Sequence, residues 1–192
     1  CSSDLGVDLI KLNLSGEEIT PVPAPTTPMS DEEIAMAMSE IGRYNIRACA
    51  HARSADSVKQ CLKHGIQIIY HASYADEECL DGLEAKKDEV FVGPGLAWLV
   101  RTSQHAAEFG IAPDSPLAQA YAAELEVAIE AMKKMRDRGI RIVPGGDYGF
   151  AWTPHGTNAK DLEYFVDLIG MSPMEAIVSA TKLGGEIMGQ PD

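Results

Sequence analysis

The chain has 192 residues, 45% of them hydrophobic and 23% charged, which supplies the apolar material for one packed core and sets it far from disordered compositions. Its 16 basic residues face 29 acidic ones, and the resulting net charge of −13 argues against nucleic acid, whose phosphates are held by clustered Lys and Arg. No apolar run approaches the roughly 20 residues of a spanning helix and no signal peptide is visible, so no membrane partner is expected and the protein reads as soluble and cytoplasmic.

The elements alternate strand and helix. Val7 to Leu12 is a short strand-like run, followed by the proline-rich stretch from Pro21 to Pro28, which cannot be helix and is expected to form a stiff loop over the strand's end. Ser30 and Glu33 make a capping-box signature opening a helix to about Arg43. Ile46 to Ala50 reads as strand, Ala55 to His64 as helix ended by Gly65, Gln67 to Tyr70 as strand, Asp76 to Lys87 as helix, and Val90 to Val92 as strand running into Gly93-Pro94-Gly95. Ala97 to Pro116 reads as a long insertion before a helix from Leu117 to Arg138, which Gly139 ends. Ile140 to Val143 is the last expected strand, and loop and two or three helices follow. This is the pattern of parallel βα units.

Three of these apolar runs close on a group that binds metal: Ala48-Cys49-Ala50-His51, Ile68-Ile69-Tyr70-His71, and the last strand followed by Gly145-Gly146-Asp147. Side chains at the carboxyl ends of parallel strands meet over the mouth of an α/β sheet or barrel, so residues remote in sequence can share one ion there. Two imidazoles and a carboxylate suit zinc or a similar first-row metal. Lys11 sits among apolar neighbours, where an ammonium is costly to bury unpaired. Each residue also has an ordinary reading: a hydrogen-bonded histidine after a strand, a turn aspartate beside Gly146 and Gly149, a lysine paired with an acidic neighbour. Cys61-x-x-His64 falls on a helix away from any strand mouth and reads as helix surface. Cys1, Cys49, Cys61 and Cys79 show no metal-type clustering, which fits a reducing compartment. Cys1-Ser2-Ser3-Asp4 could begin a lipoprotein or supply an N-terminal nucleophile, but a strand starts almost at once and leaves no linker for a tether.

In this order the residues resemble the amidohydrolase superfamily, and within it the imidazolonepropionase-like and Xaa-Pro-dipeptidase-like branch. The Ile10-Lys11 strand is similar to the family's strand that supplies a carboxylated, metal-bridging lysine. His51 falls on its fifth-strand histidine, His71 on its sixth-strand histidine and Asp147 on its eighth-strand aspartate. Pro154-His155-Gly156, Gly170 to Ile177 and Ala180-Thr181 resemble the sequence that follows. The family opens its barrel with a His-x-His pair, and none occurs among His51, His64, His71, His105 and His155. The resemblance therefore implies a partial TIM (β/α)8 barrel of parallel strands four to eight with flanking helices, residues 1–192 forming one domain that lacks the first three strands, against about 250 residues for a complete barrel.

The resemblance further implies a metal-dependent hydrolase of amide or other C–N bonds acting on a small amide, N-acyl amino acid or dipeptide-like substrate. Lys11, His51, His71 and Asp147 would be the metal ligands, two metals serving the complete family enzyme, and Asp147 the general base and acid. Among residues near these, Tyr74 could bond a developing oxyanion or pack as a loop tyrosine. Arg53 could hold a substrate carboxylate or sit solvated at a helix start, and His155 could line the pocket or brace its loop. Phe150 and Trp152 could wall the pocket or belong to the core. The alternative is an inactive fragment that persists as a homo-oligomer by covering its open strand edges.

Overall fold

Parallel strands follow one another across one sheet in chain order, and that order is what winds a barrel rather than a doubly wound sheet. The strands are β1 (Leu9–Asn13), β2 (Arg47–Ala52), β3 (Ile68–His71) and β4 (Phe91–Gly93). The structure, a computed structural model, describes residues 6–190, so Cys1 and the readings attached to it lie outside the described residues. Leu9 pairs with Arg47, Cys49 with Ile68, and Ile68 with Phe91, all parallel. The expected strand at 140–143 is reduced to a single parallel bridge between Ile142 and Val92, fixed by the Val92 N–H to Arg141 O bond and the Val143 N–H to Val92 O bond, each 2.9 Å. Pro144, directly after Val143, has no N–H to continue the ladder.

One face of the sheet carries small and branched residues: Ala48, Ala50 and Ala52 on β2, Ile69 on β3 and Val92 on β4, all buried with Ile142 in the main core. Helices cover that face. They are α1 (Asp31–Arg43), α2 (Ala55–His64), α3 (Glu77–Ala85), α4 (Leu96–Gln104) and the long α5 (Pro116–Asp137), with a 3-10 turn at Ala107–Phe109. Three shorter helices follow, α6 (Lys160–Asp167), α7 (Pro173–Ala180) and α8 (Lys182–Ile187). Alanines on β2 let α1 and α2 approach the sheet closely. Their starts follow the sequence signals: Ser30 accepts from Glu33 N while Glu33 bonds back to Ser30 N, and Ser54 caps α2. Gly65 ends α2 with φ +75°, a left-handed conformation that costs a side-chain-bearing residue about 1 kcal/mol or more.

The stretch read as an insertion contains α4. Its residues from Leu96 to Val100 are all buried, so no polar face marks the helix in the sequence, and Gly93-Pro94-Gly95 masks its start. The opposite sheet face carries Lys11, Cys49, Tyr70, Phe91 and Arg141. The Arg141 guanidinium lies 3.8 Å from the centre of the Phe91 ring. Lys11 is exposed, because among the described residues no strand pairs with the outer edge of β1. That corrects the expectation of a lysine enclosed by apolar neighbours.

Candidate metal centre

The ends of β2 and β3 bring His51 opposite Tyr70 and Ala52 opposite His71. Strict alternation would turn His71 toward the helices with Ile69. Instead the chain reverses, with φ +76° at His71 and +53° at Ala72, and the imidazole swings beside His51 with ring centres 4.6 Å apart, edge to face. Left-handed conformations in residues other than glycine cost on the order of 1–3 kcal/mol each and persist only where surroundings enforce them. Among the described residues there are four, and three of them, His71, Ala72 and Asp147 (φ +51°), lie at this site. Gly95 leaves room for the ring: a Cβ there would fall 2.9 Å from His71 Nδ1.

His71 is 1% exposed, and neither ring nitrogen closes a well-formed hydrogen bond, the Pro94 backbone acting on the ring only weakly. An unpaired buried polar atom costs about 1–3 kcal/mol, so two on one ring mark a place where a ligand belongs. His51 places Nε2 2.9 Å from Gly16 O. Burial lowers the pKa of both histidines, that of His71 most, with the positive charge of Arg53 adding to the effect. Both are thus held neutral, the form in which imidazole binds a metal. Asp147 lies across from His71 with Oδ2 3.6 Å from Nε2, its side chain 35% exposed. Two neutral imidazoles, one with idle nitrogens, and an adjacent carboxylate fit a divalent first-row metal. Lys11 shares the sheet face of His51, with Nζ 4.9 Å from the Tyr70 ring centre.

The structure adds a residue that the strand pattern does not reveal. Glu17, on the loop after β1, lies with His51 and His71 in a group whose ligand atoms all fall within 4.8 Å of one another. It arrives there through tertiary folding of the proline-rich loop. Gly16 N–H bonds to Thr26 O, Glu17 N–H to Val22 O, and Ala24 N–H to the Glu18 carboxylate. A Cβ on Gly16 would sit 2.1 Å from Pro23 O, so only glycine permits the fold. The legible signal is a carboxylate pair, Glu17-Glu18, four residues beyond the end of β1.

Arg53 is neither solvated nor free. It is fully buried, donating from Nε and Nη2 to Glu17 Oε2 at 2.9 and 2.5 Å and from Nη1 to Glu124 Oε1 at 2.5 Å. Ser73 donates to the same Glu124 oxygen at 2.6 Å, and Ser15 Oγ accepts from Arg53 N. Tyr74 donates its backbone N–H to Arg53 O and lines a cleft of about 480 Å³ with Val127, Glu130 and Lys134, a lining that includes none of Lys11, His51, His71 or Asp147. Burial, with Glu124 and Glu18 nearby, pushes the Tyr74 hydroxyl up to about 12. His155 is exposed in the loop beyond Asp147, its Nε2 3.2 Å from where a Gly149 Cβ would be. Phe150 and Trp152 stack with Trp98 at centroid separations of 4.5 and 5.4 Å. Phe150 is 44% exposed, so this aromatic group is part core and part surface. Asp161 is a second unforeseen acid. It is 1% exposed, and burial lifts its pKa to about 6.

No family model matches the chain. Over 186 residues it is 30% identical to ochratoxinase of Aspergillus niger, an alignment that takes in 92% of this chain and 35% of that protein. The structure superposes on a Xaa-Pro dipeptidase with methionine bound in its active site with a TM-score of 0.81 and 25% identity, covering 97% of this chain and 45% of the other. A structure described as an amidohydrolase gives a TM-score of 0.82 at 21% identity, covering 97% and 44%. The chain thus spans about a third of the curated relative and under half of these solved chains. By sequence and fold the chain is similar, over part of their length, to hydrolases: in sequence to ochratoxinase, and in fold to the structures described as a Xaa-Pro dipeptidase and an amidohydrolase.

Proposed function

We propose that the chain carries the strand-end metal site of a hydrolase of amide or related C–N bonds, with His51 and His71 as imidazole ligands and Asp147 as the carboxylate working beside them. The observation that carries this reading is His71, a buried imidazole with no well-formed hydrogen bond at either nitrogen, held in a strained backbone at the carboxyl end of a parallel strand. A divalent metal such as zinc, when bound, supplies a Lewis acid and brings the pKa of a water near 7. Asp147, partly open to solvent, takes a proton from the attacking water on its carboxylate and delivers it to the leaving nitrogen. Lys11 lies on the same face, and carbamylation would turn its ammonium into an oxygen donor. Tyr74 keeps its phenolic proton at neutral pH but lines the separate cleft with Val127 and Lys134, so it takes no part in this reading of the reaction.

The relatives named ochratoxinase and Xaa-Pro dipeptidase support an N-acyl amino acid or dipeptide as substrate. Such a substrate ends in a carboxylate. Arg53 is committed to Glu17 and Glu124, so that carboxylate must be met by another group, for which exposed His155 at the mouth is the candidate. The buried thiols Cys49, Cys61 and Cys79 are free, which suits a reducing compartment. The test is hydrolysis of a panel of N-acyl amino acids and dipeptides by the zinc-supplied chain and its Asp147→Asn variant. Turnover should fall by about 10²–10⁴-fold in the variant, the range for losing a positioned general base. Turnover that does not depend on Asp147 contradicts the assignment.

A further inference from the structure

With 29 acidic residues against 16 basic ones, an arginine in this chain has no shortage of partners. Arg43, Arg53, Arg136, Arg138 and Arg141 each meet a carboxylate. Arg101, half-buried on α4, does not. Its Nε donates to Trp152 O at 2.8 Å, which fixes the guanidinium, and its two Nη groups donate to no protein acceptor among the described residues. Arg101 lines a cleft of about 310 Å³ between α4, α6 and the loop before α6, at the lower end of the size range of small-molecule sites. The carboxylate in that lining, Glu163, is paired with Lys160, which leaves Arg101 as the unmatched charge of the cleft. Tyr148, Tyr164, Ala97 and Ala159 supply rings and methyl groups to the walls. Burial raises the pKa of both phenols, against the pull of Arg101 and Lys160 in the case of Tyr164, so both hydroxyls stay protonated and can donate. Thr153, buried in the same wall, donates its hydroxyl to Asp147 O at 3.0 Å. The cleft therefore backs onto the Asp147 turn, while its lining includes none of Lys11, His51, His71 and Asp147.

We propose that this cleft binds a small organic carboxylate with an aromatic or apolar body, the carboxylate taking the paired Nη groups of Arg101 and the body lying against Tyr148 and Tyr164. A guanidinium presents its donors in a fixed fork that matches a carboxylate through two parallel bonds, and with Nε occupied by Trp152 O the Nη pair is the edge that remains. One unmatched positive charge between apolar walls suits a monoanion, whereas a phosphate, with close to two negative charges at neutral pH, would find only one. Tyrosine rings supply a large apolar contact with a hydroxyl at the edge for a polar substituent. The site stands apart from the strand-end centre and holds whether or not His51 and His71 bind a metal.

Amide NMR spectra of the chelator-treated 192-residue chain, titrated with benzoate, benzamide and inorganic phosphate in turn, test this; removing metal keeps carboxylate–metal binding out of the measurement. Benzoate should shift amides of α4 and of residues 148–164 and bind about 10-fold or more tightly than benzamide, which has the same ring without the charge. Arg101→Gln should weaken benzoate by about 10–100-fold, the range for losing charge-assisted hydrogen bonds. Because Arg101 also anchors Trp152 O, a second variant, Ala159→Trp, blocks the cleft from an exposed position while leaving that anchor in place, and should abolish the shifts. Arg47→Gln, on β2 and outside the cleft, should bind as the parent does. Benzoate binding that survives both Arg101→Gln and Ala159→Trp overturns the proposal, as does equal affinity for benzamide or a parent chain that shows no shifts up to millimolar benzoate. Phosphate bound as tightly as benzoate overturns the assignment to a monocarboxylate.

Discussion

His71 shows how far a single side chain can be read from its neighbours in sequence. An apolar run ending in histidine announces a strand-end imidazole, but strand alternation places it on the helix face, and only the left-handed backbone at His71 and Ala72 turns it to the site. Asp161 was hidden for a different reason: one acid in a polar stretch, Lys160-Asp161-Leu162-Glu163, gives no sign that it will be buried. Its raised pKa has a checkable consequence. Burial favours the protonated folded form, with backbone groups of Ala97 and Gly145 pulling weakly the other way. A folded pKa of about 6 against 3.8 unfolded means this group's stabilising contribution is present at low pH and is lost as pH rises from about 4 through 6. His51 and His71 act with the opposite sign: their lowered pKa gives stability that is present above their ordinary 6.5 and is lost as pH falls. Comparing the parent chain with Asp161→Asn cancels the histidine part. Chemical denaturation at pH 4 and pH 8 should show the variant gaining roughly 3 kcal/mol relative to the parent at the higher pH, from a shift of about two units at 1.4 kcal/mol each. A difference that does not change with pH contradicts the burial of an ionisable Asp161.

Elements with their own punctuation were legible. Ser30 with Glu33, Gly65 and Gly139 mark helix ends in the sequence, and α1, α2 and α5 begin or stop within a residue or two of them. Helix α4 was not, because a helix enclosed on all sides has no polar stripe, and its Leu-Ala-Trp-Leu-Val opening reads equally as strand or loop. Glu17 was missed at the same scale: a loop's internal hydrogen bonds, not any periodicity, carry it to the strand ends. If α4 is a core element, Leu99→Ala should cost about 2–5 kcal/mol of unfolding free energy, as for a large buried aliphatic. A cost below 1 kcal/mol would return the segment to the status of a surface insertion. The same substitution should leave metal affinity within a few fold, since Leu99 is not among the metal-site residues and faces the core.

Across the whole molecule, the sequential parallel order legible from the βα alternation is the order that winds a barrel, and the solved relatives are roughly twice the length of this chain. Among the described residues, β1 has a strand partner on one side only, and Lys11 on it is exposed. Unpaired strand edges recruit further strands. Light scattering on the 192-residue chain should therefore report a dimer or larger species at micromolar concentration, and a monomer over that range would mean that the edge is closed within the chain. The acidic surface sets no barrier at ordinary salt, where charges beyond about 8–10 Å are screened.

The strand-end site is a metal centre only if His51 and His71 hold a metal. Elemental analysis of the chain purified after zinc supplementation, beside His51→Ala and His71→Ala, tests this directly. About one transition metal per chain in the parent, lost in both variants while their circular dichroism is retained, is the predicted result; full metal occupancy in both variants would contradict it.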